Sequence, residues 1–144
     1  MNEIIQTDWV GNMSFDTEIN GYKISFDAEE QYGGTHHGPR PKPVVLSALA
    51  ACTGMDVISI LRKKQVNFSA FRITADGELA EEYPKYYLSI HLTYFVTGPG
   101  FKDNEDIMTR VNRSVRLSRD SYCAVSAMMR NACEITDEII LLDS

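Results

Sequence analysis

From Pro41 to Leu61 the chain reads PKPVVLSALAACTGMDVISIL, and few architectures can accommodate such a segment. Its prolines sit before or within the first helical turn, where a missing N–H costs nothing. No proline recurs until Pro84, and apolar residues run almost unbroken from Val44 to Met55. A helix apolar around most of its circumference belongs in an interior. This one is long enough to pass through a small domain. Its one unusual residue is Cys52. Val45, Leu49, Cys52 and Asp56 follow at steps of four, three and four, so they share one stripe and place a thiol one turn from a carboxylate. A free cysteine there commonly acts as a small buried hydrophobe. A second thiol and the residues around the first open another reading.

A chain of 144 residues is expected to form a single domain spanning 1–144. Hydrophobic content of 44% and charged content of 24% are those of a soluble globular protein. The start, MNEIIQTD, has neither a basic n-region nor an apolar h-region, so no signal peptide is expected and a cytoplasmic location is. Asp56 interrupts the apolar helix before membrane-spanning length, and no membrane association is expected. A net charge of −6 argues against nucleic acid as a partner. Cys52, Cys123 and Cys133 are odd in number and widely spaced, unlike a secreted disulfide framework, and no CxxC or CxxxH pair suggests structural zinc. In a reducing compartment such thiols are either structural or transiently redox-active.

Residues 7–28 read as a β-hairpin about the Asn20-Gly21 turn, with Phe15, Ile19, Tyr22, Ile24 and Phe26 on one buried face. Residues 28–41, rich in Gly, His and Pro, form a loop, and a loop feeding a buried helix is well placed for function. His36 and His37 are metal-ligand types, although adjacent histidines in a polar loop are commonly solvated; no metal and no cofactor is expected. Arg40, between prolines at the start of the helix, is the more interesting cation. Beyond the helix, alternation over 71–79 and 86–96 predicts an antiparallel hairpin with one wet face, His91 on the wet side. Ile107, Met108, Val111 and Val115 mark an amphipathic helix, with Arg110, Arg113, Arg116 and Arg119 on its solvated side. Asp120 or Ser121 can cap a further helix bearing Tyr122 and Cys123. Cys123 in a first turn, near unpaired N–H groups, gains a reason to ionise. Cys133 reads as buried and inert, and Glu134 to Leu142 as the last strand.

The segment Gly33-Gly34-Thr35, Gly38-Pro39-Arg40-Pro41 and Ala48-Leu49-Ala50-Ala51-Cys52-Thr53, with the later Tyr122-Cys123-Ala124-Val125-Ser126, resembles the OsmC/Ohr family. The order of elements matches from end to end. The resemblance implies an α+β fold and an intertwined homodimer, with antiparallel sheets around long central cysteine-bearing helices and the thiols at the dimer interface. It also implies thiol peroxidase activity toward organic hydroperoxides or other small apolar substrates. Cys52 would attack the peroxide, Cys123 would resolve the sulfenic acid, and a dithiol reductant would reopen the disulfide. Such a site needs a cation to favour the attacking thiolate, because burial alone opposes it. Well-known peroxidases of the family use an arginine near the chain start, held by a glutamate in the approach to the helix. No arginine precedes Arg40 here, and Lys42 and Pro43 stand where that glutamate would. Arg40, with Asp56 as partner, takes that place by location, and the chain looks closest to the OsmC-like branch. The rival reading is a redox-responsive protein that binds a small ligand without turnover. A third is a scaffold whose cysteines are structural.

Overall fold

The computed structural model describes residues 1–144. The chain divides into two compact units, Met1–Val45 and Leu46–Ser144. The first holds three antiparallel strands in the order β1 (Gln6–Gly11), β2 (Ser14–Ile19), β3 (Tyr22–Phe26). The predicted hairpin is therefore β2–β3, and β1 adds a strand. Asn20 and Gly21 take the positive φ angles, 53° and 82°, that a two-residue turn of this kind requires. A second turn at Gly11 (φ 119°) and Asn12 (φ 49°) returns β1 onto β2, with the Trp9 indole N–H donating to the Asn12 carbonyl (2.8 Å).

Cross-strand pairing puts Trp9, Phe15, Ile24 and Tyr22 on one face of this sheet. That face was expected to be buried, yet Trp9 is 65% exposed and Tyr22 75%. Alternation reports which face is apolar; it does not supply the surface that covers it.

The second unit is built on the long helix α1 (Pro41–Lys63), which it holds from Leu46 onward, and a sheet in the order β4 (Ala70–Leu79), β5 (Tyr87–Gly98), β6 (Glu134–Asp143). β4 and β5 form the predicted antiparallel hairpin, and β6 lies parallel to β5 on its other side. Alternate residues Ile90, Leu92, Tyr94 and Val96 of β5 are buried in one core with Leu49, Val57 and Leu61 of α1. Val111 and Val115 of α2 (Glu105–Leu117) close it. Asn104 caps α2 by accepting from the Ile107 N–H (3.1 Å).

By length and composition alone α1 could cross a membrane, with a mean hydropathy of 2.0 over its most apolar window. It instead gives Leu49, Thr53, Gly54, Val57 and Leu61 to the core, and Arg62 and Lys63 meet the negative end of its dipole. Only one side is covered. Met55 is 72% exposed, and Ala50, Ala51, Gly54, Met55 and Ile58 face Phe71 and Ile73 across an open cleft of about 410 Å³. The expectation of a helix buried around its circumference fails because a single sheet has a single face to offer.

Candidate active site

Cys52 lies midway along α1, half-buried against the core. The second thiol arrives by a different route from the one its sequence suggested. After α2 the chain makes one π-helical turn, Ser118–Tyr122, with the Cys123 N–H bonded to the Ser118 carbonyl (2.8 Å). Backbone then opens at Cys123 (φ −75°, ψ 104°) before α3 (Ala124–Met129). Neither Asp120 nor Ser121 caps α3, and Tyr122 lies outside it. Cys123 is itself the cap, its sulfur accepting from the Ser126 N–H at 3.3 Å.

This geometry brings Cys52 and Cys123 together. Both thiols are free, and Cys52 is near enough to Cys123 to act on the ionisation of its thiol. Burial pushes the Cys123 thiol up from 9.0 to about 11; the Ser126 N–H opposes that shift, while Cys52 and the Asp56 carboxylate add to it. The sequence favoured a thiolate at this position because it opens a helix. With only six residues in α3 and Cys123 2% exposed, loss of solvent outweighs the helix end. In the reduced protein Cys123 is a proton-bearing thiol.

Beneath the pair runs a chain of polar groups. Tyr94 Oη and Thr53 Oγ1 lie 2.8 Å apart, Thr53 Oγ1 and Ser118 Oγ 2.8 Å, and Ser118 Oγ and Asp56 Oδ2 2.9 Å. The direction follows from one end. A carboxylate only accepts, so the Ser118 hydroxyl donates to Asp56, Thr53 donates to Ser118 and Tyr94 to Thr53. Thr53 and Asp56 follow Cys52 within one turn of α1, and Ser118 opens the turn that ends at Cys123. The relay therefore ties together the two backbones that carry the sulfurs. Desolvation raises the Tyr94 phenol to about 12, so it serves as a donor.

The arginines do not form one solvated row. Arg119 leaves the outer face and bonds Asp137 on β6 (Nη1 to Oδ2, 2.7 Å), as well as Asp120 (3.1 Å). Burial works against its charge, but these two carboxylates hold its pKa above the usual value. Arg110 reaches the Lys64 carbonyl (3.3 Å) and Asp106 (3.1 Å). Cys133 is half-buried rather than buried, its thiol 3.7 Å from the Met129 carbonyl. His91 faces the wetter side of the sheet as expected, bonded to Thr136 (2.7 Å).

In the N-terminal unit Arg40 donates to Glu29 Oε1 (2.6 Å), so its partner is Glu29 and not Asp56. An arginine–glutamate pair is thus present, with both members in the loop. Glu29 was legible only as one of several acids near Ala28. His37 bonds Asp16 (2.6 Å), and His36 lies 3.7 Å from Glu30. The buried Asp27 organises the loop by accepting from the N–H groups of Ala28, Thr35 and His37 (2.8, 2.9 and 3.0 Å). The His37 and Thr35 bonds hold its carboxyl well below the usual range. No group of three or more His, Cys, Asp or Glu side chains converges as a metal site would require.

The sequence pattern of the OsmC family (OsmC-like protein) matches residues 34–138. Protein YhfA of Escherichia coli (strain K12) is 33% identical over 129 residues, covering 89% of this chain and 90% of its own. A hypothetical protein from Aquifex aeolicus VF5 superimposes with a TM-score of 0.83 at 22% identity, over 100% of this chain and 98% of that one. A Legionella pneumophila protein named an organic hydroperoxide resistance protein superimposes with a TM-score of 0.67 at 15% identity, over 96% of each chain.

Proposed function

Because this chain belongs to the OsmC-like family, we propose that it reduces organic hydroperoxides with Cys52 as attacking thiol and Cys123 as resolving thiol. The observation that carries the proposal is the meeting of two free sulfurs that stand 71 positions apart (123 − 52) in the sequence. The Legionella protein's name adds a neighbour of the same fold linked to hydroperoxides. The Cys52 thiolate attacks the distal peroxide oxygen, the O–O bond breaks, and the alkoxide takes a proton and leaves as alcohol. Cys52 is then a sulfenic acid. The Cys123 sulfur attacks it, an S–S bond forms, the S–O bond breaks, and the hydroxyl departs as water with the Cys123 proton. A dithiol reductant returns both thiols by exchange and is itself oxidised to a disulfide. Two roles need two environments, and a resolving thiol that stays protonated until the sulfenic acid appears cannot compete for the peroxide.

Arg40, held by Glu29 in the loop before α1, is carried as the activating cation on the family resemblance and on the need of such chemistry for a positive charge. The working form is a homodimer. Support comes from apolar surface left bare in each unit: Trp9, Phe15 and Ile24 in the first, and the Met55 side of α1 in the second. A reducing compartment such as the cytoplasm suits a cycle that begins from two free thiols.

The test is consumption of an organic hydroperoxide by reduced protein with a dithiol. Cys52→Ser is expected to abolish it, and Cys123→Ser to leave a sulfenic acid on Cys52 that dimedone traps. Consumption no faster than that of Cys52→Ser would overturn the proposal.

A further inference from the structure

Four cations stand around one groove and form no ion pair. Lys63 and Lys64, at the end of α1, line a hollow of about 540 Å³ with Asp56, Ser59, Ile60, Leu117 and Tyr122. A second hollow of about 330 Å³ adjoins it, sharing Lys64 and Leu117 and adding Arg113, Arg116, Asp120 and Ser121. Asp120 is paired with Arg119 and Arg130, whereas Asp56 accepts only from the neutral Ser118 hydroxyl and stands in the first hollow without an ion-pair partner. No carboxylate pairs with Lys63, Lys64, Arg113 or Arg116, although the chain carries six more acidic than basic residues. The walls are fixed at two points, by Arg110 on the Lys64 carbonyl and by Ser118 on Asp56. The groove therefore exists before anything enters it.

We propose that this groove binds an amphipathic phosphate, a single apolar chain ending in a phosphate ester. Four unpaired cations against the one carboxylate of Asp56 leave the concavity positive and favour an anion. Two guanidinium forks and two ammonium groups suit a phosphate with several oxygens better than a carboxylate with two. Ile60, Leu117 and the Tyr122 ring line the first hollow beside the cations and give a surface for hydrocarbon. Lys64 follows Asp56 by eight residues, about 12 Å of helix, which a medium-length chain spans. The far end of the chain then lies beside Asp56 and Tyr122, one turn from Cys52 and one residue from Cys123. That this end carries the oxidising group rests on the peroxidase reading; the binding site itself does not.

Calorimetric titration of the reduced full-length protein with decyl phosphate below its micelle concentration tests the site. Saturable binding is expected, weakening as sodium chloride is raised. Decanol, decanoate and inorganic phosphate should each bind at least about tenfold more weakly, and Arg113→Gln/Arg116→Gln should lose about tenfold or more, as befits two charge-assisted contacts. Both arginines are exposed, so the double variant keeps its core. Decyl phosphate should also slow alkylation of Cys52 by iodoacetamide in the wild type. Equal affinity for decanol or decanoate, or undiminished binding by the double variant, would overturn the phosphate site. Binding without protection of Cys52 would overturn the placement of the chain. Neither readout requires turnover, so a failed peroxidase assay leaves this result standing, and a failed titration leaves the sulfenic acid test standing.

Discussion

Replacing Ser118 by alanine removes one oxygen from the middle of the relay beneath the two sulfurs. Ser118 is fully buried, donates to Asp56 at 2.9 Å and lies 2.8 Å from Thr53 Oγ1. A hydrogen bond to a charged group contributes about 1.5–3 kcal/mol, and a neutral one about 1 kcal/mol. The half-buried Asp56 carboxylate loses its donor, and the Thr53 hydroxyl loses the acceptor that sets its direction. The expected destabilisation is about 2–4 kcal/mol. With a urea dependence of about 1–3 kcal/mol/M, the unfolding midpoint should fall by roughly 0.7–4 M. Urea unfolding followed by circular dichroism, at one protein concentration for all variants, measures it. A double-mutant cycle with Asp56→Ala, which removes the acceptor, isolates the pair, and a coupling of about 1.5 kcal/mol or more is expected. A loss below about 0.5 kcal/mol, or additive effects of the two substitutions, would refute the directed relay and the argument that it joins α1 to the turn before Cys123.

The raised pKa of Cys123 sets a further expectation. Burial makes the folded state hold this proton more tightly than the unfolded chain does, so the stability it confers is complete below pH 9 and is lost as pH rises toward about 11. Urea midpoints taken across that range should fall less in Cys123→Ala than in the wild type. Asp27 works with the opposite sign: its lowered pKa, caused by the His37 and Thr35 N–H groups, gives stability that is present above the unfolded carboxylate value and is lost as pH falls through the depressed one. Asp27→Asn should accordingly speed amide exchange at Thr35 and His37 at neutral pH, with β2–β3 amides little changed. Arg119→Met leaves Asp137 half-buried without its guanidinium, and thermal unfolding should show a loss of about 1–3 kcal/mol. Gly38→Ala drives a methyl group into the Ser25 backbone carbonyl, and should destabilise the N-terminal unit by about 1–3 kcal/mol by the same measurement.

Much of this protein is written in local pattern. The prolines and apolar run place α1, alternation places β4 and β5, and Asn20-Gly21 places a turn whose two positive φ angles the structure reproduces. These features depend on neighbours a few residues apart, so the sequence by itself determines them. It also named both cysteines. Whether they meet was settled by a π-helical turn and a cysteine that caps its own helix, neither of which has a periodic signature. Tertiary structure alone decided the ionisation of Cys123, because the loss of water around a thiol depends on packing from distant segments, whereas helix position can be read nearby. It likewise decided that Thr53, Tyr94, Ser118 and Asp56 form one relay, and that Arg40 turns to Glu29. Hydrogen-bond partners separated by tens of residues leave no trace in spacing. Their selection follows from which backbones the core holds side by side.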